Sequence, residues 1–181
     1  MVLIWGILIL AGILFVAKMA YVVTTALALP ATQGALFVST SSARIKAFLD
    51  AVPMKPGQTL LDLGCGDGRV LACAGDRYGV RAVGYELNLL AYLRARIRCF
   101  GRKHLEVIRK NFWHADLAGA DVVFCYLFPD VMGRLARKVR KEAKPGAVLV
   151  SCNFPVTGLA PERVLRPKGA LHHDPIFIYR L

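Results

Sequence analysis

Acidic residues are scarce in this chain: 12 Asp and Glu stand against 24 Lys and Arg, for a net charge of +12. Such a surface draws anionic partners. Cysteine is sparse and unpaired in pattern. The five residues Cys65, Cys73, Cys99, Cys125 and Cys152 are odd in number and form no CxxC, which argues against a zinc ribbon or a disulfide framework. Each lies in an apolar or motif context that reads as core, and free thiols point to a reducing compartment. No Lys or Arg precedes the first apolar run, so the basic n-region of a cleaved signal peptide is missing. Internal repeats and low-complexity segments are absent. A length of 181 residues is enough for one domain with a full core and too short for two.

What is abundant is hydrocarbon, 56% of all residues, and it is concentrated at the start. Val2 to Ala17 carries no charge, Lys18 interrupts, and Met19 to Leu29 is again apolar apart from Thr24 and Thr25. A bilayer core needs about 20 such residues in a helix. Met1 to about Ala20 meets that need, and a tilted span as far as Leu29 is a second solution. Trp5 and Tyr21 stand near the two ends, where amphipathic aromatics favour the interface. Lys18, Arg44 and Lys46 follow the run, so the positive-inside rule places the amino terminus outside and the remainder in the cytoplasm. The expected organisation is a transmembrane anchor over 1–29, a linking segment over 30–39 and a folded domain over 40–181.

Two basic clusters follow. One is Arg94, Arg96, Arg98, Arg102, Lys103, Arg109 and Lys110; the other is Arg134, Arg137, Lys138, Arg140, Lys141 and Lys144. They read either as two solvated helix faces or as surfaces drawn to an anionic leaflet, where each basic residue contributes about 1 kcal/mol.

Beyond Pro30 to Gly34, whose composition stops a helix, apolar patterns alternate in kind. Helices are predicted from Ser41 or Ser42 to Asp50, over Gly68–Tyr78, Leu89–Phe100 and Asp130–Ala143. Strands are predicted at Gln58–Leu63, Ala82–Tyr85, Leu105–Ile108, Asp121–Leu127, Ala147–Cys152 and Ile176–Tyr179. Arg163–Leu165 is expected to pair with the last of these across Pro167-Lys168-Gly169. This alternation predicts an α/β fold: a parallel sheet with helices on both faces and one antiparallel strand near the carboxyl terminus.

The strongest local signal is the run Leu60-Leu61-Asp62-Leu63-Gly64-Cys65-Gly66-Asp67-Gly68. An apolar strand ends in an acid and turns through glycines into a helix, at the edge where open α/β sheets bind ligands. A dinucleotide fingerprint needs a third glycine where Arg69 stands, and Asp67 repels a pyrophosphate. S-adenosyl-L-methionine has no phosphate, and its sulfonium and ammonium groups favour nearby carboxylates. Asp62 and Asp67 therefore suit that cofactor, with Gly64, Gly66 and Gly68 shaping the turn. Glu86 ends the second strand and is placed to accept the ribose hydroxyls; otherwise it is an exposed strand-end acid.

Two further sites each carry two readings. Asn111 and Phe112, after the third strand, either meet the adenine or form a polar loop position followed by a core aromatic. Tyr126, at the tip of the fourth strand, either orients the methyl acceptor or is a buried aromatic with its hydroxyl satisfied by backbone. His114 reads as a surface or core histidine more readily than as a base.

Together these motifs resemble the class I methyltransferase superfamily, with its Rossmann-like sheet. More narrowly, they resemble the seven-strand protein-lysine methyltransferases: a broad-specificity archaeal enzyme and the mitochondrial enzymes that modify the adenine nucleotide translocase and the c-ring protein of the ATP synthase. Phe37-Val38-Ser39-Thr40, Asp62 to Arg69, Val83-Gly84-Tyr85-Glu86-Leu87-Asn88, Tyr126-Leu127 with Pro129, and Lys144-Pro145-Gly146 leading to Val150-Ser151 and Phe154 carry the match. The resemblance implies S-adenosylmethionine as cofactor, Thr40 among its contacts, Tyr126 as the catalytic position and no metal. The family tends to have proline where Ser39 stands and aspartate where Asn111 stands. Methylation of lysines in a membrane or membrane-proximal protein is the expected activity. A lipid or quinone acceptor and a non-catalytic cofactor-binding membrane protein are the alternatives. The charge alone also admits RNA, but the Asn-Pro-Pro-Tyr type motif of adenine-N6 enzymes is absent from the fourth strand tip.

Overall fold

The computed structural model describes residues 2–32, 40–167 and 174–181. Its strands are β1 (Thr59–Leu63), β2 (Arg81–Tyr85), β3 (Leu105–Ile108), β4 (Val122–Cys125), β5 (Val148–Cys152), β6 (Arg163–Leu165) and β7 (Ile176–Arg180). They form one sheet in the order β3-β2-β1-β4-β5-β7-β6. The first five run parallel, and β7 lies antiparallel between β5 and β6. Buried residues fill β1 and β4 almost without interruption, as strands covered on both faces require. The predicted pairing of Arg163–Leu165 is present, with Val164 opposite Phe177. Ser39 and the rest of 33–39, with the Lys168-Gly169 part of the expected turn, lie outside the described residues.

The helices are α1 (Val2–Thr32), α2 (Ser42–Ala51), α3 (Arg69–Tyr78), α4 (Leu89–Arg98) and α5 (Pro129–Glu142). Local chemistry sets their ends. The Ser41 hydroxyl accepts from the Arg44 N–H, and the Asn88 side chain accepts from the Ala91 N–H at 3.1 Å, both N-cap bonds. Pro129 opens α5, and Arg140 and Lys141 close it, in keeping with the helix dipole. Phe48, Leu49, Leu71, Ala74 and Ala95 pack α2, α3 and α4 onto one face of the sheet. Leu135 and Val139 of α5, with Phe112 and Trp113, cover the other.

Two expectations need correction. Helix α1 continues to Thr32, so Pro30 falls inside its last turn instead of starting a linker; the proline removes one i→i−4 bond and the helix ends within a turn of it. Cys73 is exposed, unlike the other four cysteines. The buried positions of α3 are Val70, Leu71, Ala72, Ala74 and Gly75, and Cys73 faces away from the sheet.

Candidate active site

Chain order runs outward from β1 to β3 on one side and from β4 to β5 on the other. The β1/β4 boundary is therefore the point where ligands enter open α/β sheets. A cleft opens there, lined by Thr40, Asp62, Gly64, Gly66, Asp67 and Tyr126 among others. Six of the residues expected from sequence thus share one wall.

The turn after β1 is built by backbone conformations that side chains resist. Gly64, Gly66 and Gly68 have φ of 89°, 56° and 75°. A Cβ on Gly68 would also stand 3.0 Å from Cα of Ala95 in α4, so this third glycine serves helix packing as well as the turn. The turn is tied to the next strand by Glu86. One carboxylate oxygen accepts from the Gly66 N–H at 2.9 Å and the other from the Asn88 N–H at 2.7 Å. A carboxylate has about four lone-pair sites, so each oxygen can still accept a ribose hydroxyl. Burial raises the Glu86 pKa, and the backbone donors at Asn88 and Gly66 oppose that rise.

The two acids that bracket the turn differ. Asp67 is committed inside the protein: Arg69 and Arg98 both pair with it, at 2.8 and 3.0 Å. Burial pushes its carboxyl up, but the two guanidinium groups outweigh burial and hold it below the ordinary value. Asp62 is only 2% exposed and lines the cleft. Burial, then the charges of Glu86 and Asp67, drive its pKa well above the carboxylate range. No hydrogen bond or ion pair reaches the Asp62 side chain from the other described residues. A buried carboxylate without a donor is costly, and a cationic ligand in the cleft relieves that cost. The residues present therefore fit a compound carrying ammonium and sulfonium charges.

Tyr126 lines the same cleft as Asp62. Arg44 of α2, 5% exposed, donates to the Tyr126 hydroxyl at 3.1 Å, and its guanidinium carbon lies 5.4 Å from the ring centroid. The same guanidinium pairs with Asp174, just before β7. The hydroxyl is thus satisfied by a side chain and not by backbone. Arg44 is also corrected by this finding: its charge is spent inside the domain and does not belong to the membrane flank. The sequence held one signal for it, since Arg44 lies one turn from Phe48 on the core side of α2. Asp174 offered none. Arg69 and Arg98 were likewise missed as the partners of Asp67.

Asn111 and Phe112 lie at the tip of β3, two strands away from the cleft in β1. Asn111 accepts from the Trp113 N–H at 3.1 Å and starts the 3₁₀ turn Phe112–His114. Phe112 is buried, its ring 4.7 Å from that of Trp113. His114 is exposed.

Comparison with known proteins finds methyltransferase relatives. Residues 62–163 match the family model described as the ANTKMT methyltransferase domain. A protein-lysine N-methyltransferase of Saccharolobus islandicus (strain REY15A) is 29% identical over 147 residues, covering 79% of this chain and 91% of that protein. The Homo sapiens lysine N-methyltransferase for the c-ring protein of the ATP synthase is 30% identical, covering 88% of this chain and 70% of the relative. The crystal structure of an RNA methyltransferase from Salinibacter ruber in complex with S-adenosyl-L-homocysteine superposes with a TM-score of 0.73 at 27% identity, over 79% of this chain and 93% of that one. Spanning the glycine turn, Glu86 and the Tyr126 strand tip in one continuous match, the chain belongs to the ANTKMT methyltransferase domain family and is an S-adenosylmethionine-dependent methyltransferase.

Proposed function

We propose that this enzyme methylates lysine side chains of a protein held in or beside a membrane, and that α1 anchors it there. The observation that carries the reading is the Tyr126 hydroxyl, fixed by Arg44 on the acceptor side of the cleft, in a chain whose relatives are named as lysine methyltransferases.

When bound, S-adenosylmethionine supplies an electrophilic methyl group on a positively charged sulfur. Asp62 neutralises cationic charge in the cleft, and Glu86 receives the ribose hydroxyls. Asn111 and Phe112, at the β3 tip, border the adenine end. Thr40 supports the rim: its carbonyl accepts from Arg69 at 3.0 Å, which links the residue to the Asp67 pair. Tyr126 accepts an N–H of the incoming amine and so aims the nitrogen lone pair. With Arg44 already donating to it, the phenol oxygen holds one orientation, which favours a near-attack geometry. An acceptor lysine must arrive neutral, and its desolvation on entering the site lowers its pKa.

Helix α1 contains an apolar stretch, Ile4–Val23, none of it buried in the domain. That supports a single span with the amino terminus outside and the catalytic domain in the cytoplasm, with Lys18 towards the carboxyl end of the stretch and Lys46 beyond it. The likeness to an RNA methyltransferase and the charge of +12 support a second reading with RNA as acceptor. One experiment separates them: incubate the purified full chain with methyl-labelled cofactor, host membranes and host RNA. Label recovered as methyl-lysine is the expected result. Label confined to lipid or to RNA removes the lysine reading.

A further inference from the structure

Helix α4 has two apolar faces, and the fold uses one. Ala91, Ala95 and the capping Cys99 are buried against the core. On the other side, Leu93, Ile97 and Phe100 are 44%, 76% and 86% exposed. Leu93 and Ile97, four residues apart, align along one edge of the helix, Phe100 follows in the turn just beyond its end, and the half-buried Leu89 and Leu90 extend the line. Arg94 and Arg96 border the stripe, one on each side. A helix on a globular domain ordinarily puts charge opposite its buried face; α4 puts bulky hydrocarbon there.

The arginine rim selects an anionic occupant. Arg98 and Arg102 pair with Asp67 and Asp76. Arg94, Arg96 and Lys103 pair with no acid among the described residues; Arg96 lies 6.0 Å from the Tyr92 ring centroid, a contact that leaves its charge uncompensated and able to meet a partner. In the second basic cluster Lys138 and Lys144 pair with Glu142 and Asp121 and Arg134 lies 4.1 Å from the Trp113 ring centroid; Arg137 and Lys141 are as unpaired as Arg94, but no large exposed apolar residue of α5 stands beside them. Helix α1, with its apolar stretch, lies in contact with α4, yet leaves Ile97 and Phe100 open.

Building on the reading of α1 as a membrane anchor, we propose that the outer face of α4 seats on an anionic bilayer. Leu93, Ile97 and Phe100 enter the boundary between headgroups and acyl chains, and Arg94, Arg96 and Lys103 meet lipid phosphates. Each basic residue close to such a surface strengthens the contact about five-fold. The consequence reaches the active site. Asn88 caps α4 and donates to Glu86, so a seated α4 fixes the cleft rim at the membrane surface, where an embedded acceptor lies. The anchor alone confines the domain; α4 orients it.

The test uses the full chain in lipid nanodiscs, in a Cys73→Ser background. Ile97→Cys carries an environment-sensitive fluorophore, and Lys141→Cys on α5, across the sheet, carries the same label as control. Discs contain phosphatidylcholine alone or with phosphatidylglycerol, and spin-labelled lipid serves as quencher. The expected result is quenching at position 97 several-fold above that at 141 in anionic discs. It weakens in phosphatidylcholine, at about 1 M salt where screening shortens to about 3 Å, and in the Arg94→Glu, Arg96→Glu double variant. Equal quenching at both positions overturns the proposal. So does protection at 97 that lipid does not quench and that grows with protein concentration, which assigns the stripe to a second copy. Alkaline extraction judges the anchor separately: release of the chain removes the spanning reading, while quenching at 97 on anionic vesicles still decides α4.

Discussion

Arg44 donates to the hydroxyl of Tyr126 across 3.1 Å, joining the first helix of the domain to the tip of β4, 82 residues later. The hydroxyl thereby has a fixed neighbour on one side and the cleft on the other. Tyr126→Phe keeps the ring and its packing but removes the acceptor. The expected outcome is a kcat lower by about 10- to 100-fold, the scale of a lost orientation effect, with S-adenosylmethionine affinity little changed. Steady-state kinetics beside calorimetry checks this split; a variant with wild-type kcat would show that the hydroxyl only satisfies Arg44.

Asp62 gives a prediction with opposite signs in stability and binding. Its carboxyl is raised by burial first and by Glu86 and Asp67 next. The folded, ligand-free state therefore holds the proton to a higher pH than the unfolded chain does. An acid with a raised folded pKa destabilises the fold as pH rises from the unfolded value, near 3.9, through the folded one. Asp62→Asn removes that cost, so the unliganded variant melts higher than wild type at neutral pH. The same change lowers S-adenosylmethionine affinity. In the wild type, binding of a cation favours the ionised form, so proton release accompanies binding and affinity falls as the solution is acidified. Calorimetry in two buffers of different ionisation heat detects the proton; a variant that melts lower and binds equally well would contradict the assignment.

Glu86 is both ligand and strut, because Gly66 and Asn88 donate to it. Glu86→Gln retains one carbonyl acceptor and exchanges the other oxygen for an amide donor that faces the Gly66 or Asn88 N–H. Loss of a charged acceptor costs about 1.5–3 kcal/mol, so S-adenosylmethionine affinity should fall by about 10- to 100-fold in titration while the chain remains folded by circular dichroism. Unchanged affinity would remove Glu86 from the ribose.

Much of this was legible in the sequence because the relevant signals are local. The apolar runs at Leu60–Leu63 and Val122–Cys125 mark central strands, and Gly64-Cys65-Gly66-Asp67-Gly68 marks the turn. The pairing of Arg163–Leu165 with β7 was legible too, since both segments are short apolar runs near a glycine turn. What sequence did not show depends on distance in the chain. Arg44 read as a membrane-flanking charge because nothing near it reveals Tyr126 and Asp174. Asp62 and Asp67 looked equivalent because Arg98, which neutralises one of them, comes from α4. The helix over Leu89–Phe100 was legible but its exposed stripe Leu93, Ile97 and Phe100 was not, since periodicity does not say which of two apolar faces meets the sheet.

Cys73 is the one exposed thiol among the five cysteines. Burial raises the others, with Cys125 pushed up to about 12, where thiolate is negligible at neutral pH. A disulfide reagent applied to the native chain at pH 8 should therefore modify one thiol quickly and the rest only on unfolding. Cys73→Ser should abolish the fast phase. Rapid reaction of two or more thiols would show that the core around Cys65 and Cys99 opens readily.

Gly84 connects packing to the cofactor turn. It lies in β2 with ordinary backbone, so the demand for glycine is purely spatial. An added Cβ would stand 2.6 Å from Cβ and Sγ of Cys65 and 2.6 Å from Leu71. Cys65 sits between Gly64 and Gly66, and both Gly64 and Cys65 donate to the Tyr85 carbonyl. Gly84→Ala must therefore push the turn away from β2. Overpacking of this kind costs about 1–3 kcal/mol, and the displaced turn no longer aligns the Gly66 N–H with Glu86. A loss of stability together with a loss of S-adenosylmethionine affinity is expected, read by thermal melting with and without ligand. Gly84→Ala combined with Cys65→Ala relieves the contact with Sγ and should recover part of both. Recovery of stability without recovery of affinity would separate core packing from the geometry of the turn.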